Sequence, residues 1–329
     1  MQDIVIIGAG PAGLAAAIAA REHGLKAVVI EKGALVNSLL HYPAEMVYFT
    51  TPELMEIGGM PFVSPHDKPN RLEALRYYRR VTDAFGLDVV QNERVTSVRR
   101  GGDGLFRVTS QPATTAEPAL REARAVIIAS GAYDIHNPID VPGENLPHVS
   151  HYYREPHSHF RNTVVIVGGK NSAAEAALDI YRAGGHPTIV HRGAALGDSI
   201  KYWVKPDIEN RIKEGSVKAH FSTRVVEITP KDVVVEGPGG RSRIEASFVY
   251  LMTGYRADTT LLKIAGVEVE PIEGAPFHNA ETYETNVEGI YVIGACVAGK
   301  QSGKIFIENG RFHGQVAVAH LASRLGVDR

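Results

Sequence analysis

Among 329 residues there is a single cysteine, Cys296. That excludes an internal disulfide, a Cys-x-x-Cys redox pair and a multi-cysteine metal centre. Charge of neither sign is in excess: 35 basic and 37 acidic residues give a formal net charge of −2. No broad field for nucleic acid or an anionic membrane follows from that balance. Apolar runs are too short to cross a bilayer. The chain enters an apolar strand at Ile4, which leaves no room for a signal or transit peptide, and the expected setting is cytoplasmic. What remains is an ordinary globular composition, 44% hydrophobic and 22% charged, in a chain long enough for two cores.

Against that background the first stretch is unusual. Ile4-Val5-Ile6-Ile7 runs into Gly8-Ala9-Gly10-Pro11-Ala12-Gly13, and an Ala-rich helical segment, Leu14 to His23, follows. Gly8 suits a tight turn, Gly10 a close approach of a pyrophosphate, and Gly13 close packing of helix on strand. A second strand, Lys26 to Ile30, ends at Glu31, whose carboxylate suits a ribose hydroxyl.

The pattern returns at Thr163. Val164–Val167 reads as a strand, Gly168-Gly169-Lys170-Asn171-Ser172-Ala173 as the turn, Ala174–Arg182 as the helix, and Pro187–Val190 as a strand ending at His191-Arg192. Glu31 would repel a 2′-phosphate, whereas the cation at His191-Arg192 suits one. The first cradle is therefore expected to hold the adenosine of FAD, and the second NADPH in preference to NADH. The fold class expected is α/β, with two Rossmann-like (three-layer ββα) nucleotide-binding domains, the second inserted into the first. The boundaries expected are 1–134 and 256–329 for the FAD domain and 140–252 for the NADPH domain, with hinges near 134–140 and 252–256.

Between these landmarks, Lys32 to Pro65 is irregular yet apolar, as a ligand-lining stretch would be. Arg71 to Phe85 has helical spacing. Strands are expected at 88–90, 95–99, 106–110 and 123–129, with a polar loop from Gln111 to Pro118, and the stretch Ala125 to Tyr133 reads as a buried strand ending in Ser130-Gly131. Ile135 to Phe160, with four prolines and many histidines, reads as a linker. Further strands are expected at 216–220, 224–228, 232–236, 244–251 and 289–293. A helix is expected from about Lys304 to Leu325, interrupted by Gly310 and Gly314.

In order and over the whole length, these landmarks resemble the low-molecular-weight thioredoxin reductase-like flavoproteins, and within them the bacillithiol disulfide reductase (YpdA-type) family. The resemblance rests on Glu31-Lys32-Gly33, Ser38 to Pro43, Gly168 to Ala173, Glu281-Thr282-Tyr283-Glu284-Thr285-Asn286 and Ile305-Phe306-Ile307-Glu308-Asn309-Gly310. It implies an FAD site at Gly8, Gly10, Pro11, Ala12, Gly13, Glu31 and Lys32, continued by Asn37, Ser38, His41 and Val95. Ser130, Gly131, Gly294, Ala295, Lys304 and Ile305 complete it. The implied NADPH site is Gly168, Gly169, Lys170, Asn171, Ser172, His191, Arg192, Thr253 and Gly254. A homodimer is implied as well.

Three departures bear on chemistry. Ungapped alignment back from Gly168 puts His151 and Arg154 where thioredoxin reductases carry their dithiol, and Ala12 stands where bacillithiol-group members often carry a cysteine. An Asp that commonly follows the late strand's glycine is Ala295 here. In this class hydride passes from nicotinamide to flavin N5, and a helix N-terminus near Lys304 would stabilise negative charge on the reduced ring by about 0.3–2 kcal/mol. Catalytic candidates are Cys296, at a strand end expected near FAD, and His151 and Arg154 in the polar-aromatic cluster. The histidines there lack an acid–cysteine pattern, so no metal is expected.

The function implied is NADPH-dependent reduction of a low-molecular-weight disulfide such as bacillithiol disulfide. An NADPH:ferredoxin or flavodoxin reductase, passing electrons to a redox protein, and a flavin-based redox sensor without turnover stay open beside it. Neither nucleic acid nor membrane is an expected partner.

Overall fold

The computed structural model describes residues 1–327. The chain divides into two compact units, one formed by Met1–His41, Met46–Ile135 and the chain from Tyr255 onward, the other by Tyr42–Glu45 and His136–Gly254.

In the first unit, the strand Gln2–Ile7 lies between two parallel neighbours, with Ile4 opposite Ala27 on one side and Ala125 on the other. Strands buried on both faces read as continuous apolar runs, and Ile4 to Ile7 are buried throughout. The sheet order is Val89–Val90, Ala27–Ile30, Gln2–Ile7, Ala119–Ile128, Phe106–Pro112, Glu93–Arg100, and Ile290–Val292 pairs with Ala119–Ile128. The long strand Ala119–Ile128 serves three partners, with Ile290–Val292 continuing the edge that Phe106–Pro112 leaves. Its first half pairs antiparallel with Phe106–Pro112 and its second half parallel with Gln2–Ile7. The two strands flanking the expected polar loop thus reach inward to Pro112 and Ala119, leaving a shorter connection. The helix Arg71–Ala84 carries a capping box between Asn70 and Glu73.

The helix Pro11–Glu22 is buried from Gly13 to Ala20, apolar on all sides, as a helix wedged between a sheet and another helix must be. The second cover is the closing helix His313–Leu325: a Cβ at Gly314 would lie 2.6 Å from the Ala16 amide nitrogen. Gly314 therefore does not interrupt the helix; it permits the crossing. The interruption falls at Arg311-Phe312, between the single turn Ile307–Gly310 and His313, and Lys304 ends a separate 3-10 turn.

The second unit has a five-stranded parallel sheet in the order Lys218–His220, His186–Val190, Thr163–Val167, Phe248–Leu251, Val149–Ser150. Side chains alternate between its faces. Val164, Ile166 and Ile189 pack on the helix Asn171–Arg182, while Val165, Val190 and Val249 pack on an antiparallel sheet of Arg224–Ile228, Asp232–Gly237 and Gly240–Glu245.

Two expectations are corrected here, and one element joins them. The single strand expected at 244–251 is two strands in different sheets. It breaks at Ala246-Ser247, where Ala246 donates to the Lys231 carbonyl and Ser247 to that of Thr163. The stretch read as a linker from Ile135 to Phe160 contributes an edge strand, Val149–Ser150, to the parallel sheet. A helix at Lys205–Lys213 was not anticipated; its proline falls in the first turn, where no amide is needed. No helix of the described residues is long and apolar enough to cross a membrane.

Candidate functional site

The first glycine loop separates steric need from openness. Gly8 has φ +108, and a Cβ there would collide with the Ala129 carbonyl oxygen; one at Gly13 would collide with the Gly8 carbonyl oxygen. Those two glycines are dictated by the chain. Gly10 is not: its φ is −76 and a Cβ would meet nothing within 4 Å. It caps a helix with no side-chain cap and no acid in the first turn, whose first amides therefore look outward. That geometry fits a phosphate.

Glu31 is 6% exposed and already engaged with the loop. Its Oε2 accepts from the Ala9 amide at 2.8 Å and its Oε1 from the Gly33 amide at 3.0 Å. The remaining lone pairs can still accept a ribose hydroxyl. Lys32 is ion-paired with Asp134. Asn37 Oδ1 accepts from the Ala34 amide at 3.3 Å, folding the turn that carries Ser38. Ser38 Oγ would lie 3.9 Å from a Cβ at Gly131, and Tyr133 donates to the His41 carbonyl at 3.5 Å. The hydroxyl of Ser130 is buried beside the Cys296 thiol, whose pKa it helps to lower, and has no other hydrogen-bond partner among the described residues, so it retains capacity for a bound polar group.

The returning strand Ile290–Val292 brings Gly294, φ +71, onto this loop, and a Cβ on it would lie 2.8 Å from the Ala12 methyl. Pro11, as the first residue of the helix, has no amide to lose there. Val95 is buried in the core cluster on which Ile305 also packs. Lys304 is exposed, and its carbonyl accepts from Asn309 at 3.0 Å. The helix expected to start near Lys304 starts instead at Ile307 for one turn and at His313 for its main length.

Cys296 is fully buried, and its thiol donates to the Ile293 carbonyl at 3.1 Å. Burial pushes its pKa up to about 11, although nearby backbone groups of Gly131 and Ile293 pull the other way. Such a group is a thiol at neutral pH, not the thiolate that attacks disulfides.

The second loop has the same frame. Gly168 has φ +154, and a Cβ there would lie 2.7 Å from the Met252 carbonyl oxygen. The His191 imidazole packs on Gly169 so closely that no Cβ fits there. Burial first, and Arg192 second, lower the His191 pKa, so Arg192, which is exposed, is the cation of the pair. Lys170 and Ser172 are exposed beside it. Asn171 ties the loop to the next turn, accepting from the Lys201 amide at 2.8 Å and donating to the Ser199 carbonyl at 3.0 Å. Thr253 donates to the Asn137 carbonyl at 2.6 Å, and Gly254 (φ +90) accepts from the Asn137 amide at 2.9 Å.

His151 stacks on His136, centroids 3.6 Å apart, with Nε2 3.3 Å from Glu144. Burial and His136 lower its pKa. Arg154 is exposed, and its carbonyl accepts from the Ala44 amide at 2.8 Å. The structure thus gathers Gly8, Gly10, Gly13, Glu31, Ser130, Gly131 and Gly294 around one loop and Gly168 to Ser172 with His191 and Arg192 around the other. Sequence reasoning missed His313, which accepts from the Gly294 amide at 3.2 Å; its only signal was its place after the run Ile305–Gly310.

Comparison with known proteins gives consistent findings. The pyridine nucleotide-disulphide oxidoreductase family profile matches residues 5–294. Bacilliredoxin reductase Bdr of Bacillus subtilis (strain 168) is 41% identical over 324 residues, covering 98% of each chain. Among solved structures, bacillithiol disulfide reductase Bdr (YpdA) from Bacillus cereus superposes with a TM-score of 0.95 at 38% identity, covering 98% of this chain and 99% of that one. The Staphylococcus aureus protein of the same name gives a TM-score of 0.92 at 37% identity, with the same coverage.

Proposed function

The chain belongs to the pyridine nucleotide-disulphide oxidoreductase family, and from that premise we propose that it is an NADPH-dependent FAD enzyme reducing a low-molecular-weight disulfide such as bacillithiol disulfide. In this reading the first unit is the FAD domain and the second the NADPH domain, in a cytoplasmic homodimer. The observation that carries it is the pair of cradles: one frame used twice in one chain, with a buried acid at the first strand end and an exposed arginine at the second.

When bound, FAD supplies two-electron transfer between nicotinamide and disulfide, for the net reaction NADPH + H⁺ + RSSR → NADP⁺ + 2 RSH. The chain's own contribution is position and charge. Gly10 leaves room for a pyrophosphate at the free helix amides, and Glu31, held by two backbone amides, orients a ribose and repels a 2′-phosphate. Arg192 attracts a 2′-phosphate. Cys296 stays out of the chemistry: its proton is held and its sulfur is sealed from any substrate. The substrate disulfide is therefore reduced without a protein thiol relay.

The test is anaerobic. NADPH should bleach the yellow protein, and bacillithiol disulfide should restore the colour, whereas ferredoxin and buffer should not. Reoxidation by ferredoxin alone would transfer the chain to the ferredoxin reductase reading, and no bleaching by NADPH would end the enzyme reading altogether. Cys296→Ala should leave reoxidation by the disulfide intact.

A further inference from the structure

Tyr283 adopts φ +61, a left-handed conformation that an aromatic residue holds only where its surroundings over-determine it. Its amide donates to the Asn279 carbonyl at 2.8 Å, and its carbonyl accepts from the Val292 amide at 3.0 Å. The strained residue is thereby stitched to the end of the returning strand. Its ring lies against that of His313, centroids 4.3 Å apart and 19° from parallel, and His278 stacks on it at 5.9 Å and 11°.

His313 is buried at the first position of the closing helix, and its Nδ1 accepts the Gly294 N–H at 3.2 Å. An imidazole that accepts at Nδ1 carries its proton on Nε2. Burial chiefly, and then His278, hold its pKa down to about 4, so it is neutral at pH 7. Gly294 has little freedom of its own, since its α-carbon faces the Ala12 methyl with no room for a Cβ.

We propose that His313, backed by Tyr283, is a positioning residue of the flavin site: as a neutral acceptor it fixes the Gly294 peptide against Ala12, and so sets how the Gly294-Ala295 strand end meets the cofactor. The inference rests on the reading of the first unit as the FAD unit. Protonating His313 or removing its acceptor leaves a buried amide unpaired beside a residue that cannot rotate away. Flattening the Tyr283 ring to a methyl removes the wall that keeps the imidazole in its plane.

The experiment uses the full-length holoenzyme. His313→Leu removes the acceptor, while His313→Asn returns an acceptor oxygen near the same place. Tyr283→Phe keeps the stack and Tyr283→Ala deletes it. FAD dissociation constant and flavin midpoint potential are measured for each. His313→Leu and Tyr283→Ala should weaken FAD about tenfold and shift the potential. His313→Asn and Tyr283→Phe should stay within about threefold of the parent. Leu and Asn variants that behave alike overturn the proposal.

A measurement free of any folding loss is the ¹⁵N spectrum of the unaltered protein's histidines at pH 7. A bare Nδ1 at His313 is expected; an Nδ1–H tautomer or an imidazolium overturns the proposal. If the unaltered protein takes up no flavin, the FAD reading fails, and the ¹⁵N spectrum still decides whether His313 clasps Gly294.

Discussion

The two glycine loops share a frame and differ in everything that faces outward. Gly8 and Gly168 are both forced by a left-handed φ and by a carbonyl oxygen where a Cβ would go. At the next position the strand end reaches back in both units, but Glu31 accepts the Ala9 amide whereas His191 lays its ring on Gly169. Gly10, where a Cβ would meet nothing within 4 Å, is matched by exposed Lys170, and Gly13, jammed against Gly8, by Ala173. The first position, set by the same kind of clash in both units, is thus the same residue, whereas the steric demands where Gly169 answers Ala9 and Ala173 answers Gly13 differ between them. The position free of internal constraint has diverged too, from Gly10 to Lys170.

The comparison can be broken most forcefully at the third position. Gly13→Ala should destabilise the first unit by about 3 kcal/mol and abolish flavin retention, since the new methyl has no space. The reciprocal Ala173→Gly should cost only about 1 kcal/mol. Equal losses in thermal unfolding would show that the two loops pack by different rules.

At the outward positions the effects should fall on binding. Arg192→Ala is expected to raise KM for NADPH about 10- to 100-fold, the worth of one charge-assisted contact, with KM for NADH nearly unmoved. Steady-state kinetics with both nucleotides checks this. Glu31→Gln replaces one acceptor oxygen by a donor facing a backbone amide, and should weaken FAD by about 1–2 kcal/mol, read from a fluorescence titration.

The smallest contrast is in pH dependence, and its sign differs between the units. Burial chiefly raises Asp179 of the second unit to about 6. Its folded pKa exceeds its unfolded value near ~3.9, so the contribution is full below the unfolded value and is lost as pH rises through about 6. His313 of the first unit, at about 4, sits below its unfolded value near ~6.5, so its contribution is full above that value and is lost as pH falls through about 4. Melting temperatures from pH 4 to 8 should show Asp179→Asn gaining on the parent at the alkaline end, and His313→Asn losing less at the acid end.

Much of this architecture was legible because its constraints are local. A glycine that must turn, a strand apolar at every position and an acid or arginine at a strand end are all read from neighbouring residues. The break at Ala246-Ser247 was not, because both halves are good strands and only the Lys231 and Thr163 carbonyls assign them to different sheets. The helix start was misplaced because Gly310 and Gly314 look alike in sequence, while in the structure Gly310 closes a separate single turn and Gly314 lies within the main helix against Ala16. From its place beside Gly294, Cys296 could be read either as a small buried hydrophobe or as a weak candidate for thiol chemistry. Its burial, which no spacing reveals, agrees with the first of these. His313 and Tyr283 lie far apart along the chain and meet only in the folded structure, where their rings stack.

The clasp at the ends of the second unit also matters for how the chain folds. Asn137 donates to Gly254 at 2.9 Å, and Thr253 donates to Asn137 at 2.6 Å. Once that unit is formed, its two exits are neighbours, and the long intervening stretch behaves like a tight turn. The first sheet needs Ile290 beside Val126, partners otherwise separated by the whole insertion. Loop-closure entropy for that pairing is set by the shortcut through Asn137 and Gly254, not by the contour of the chain.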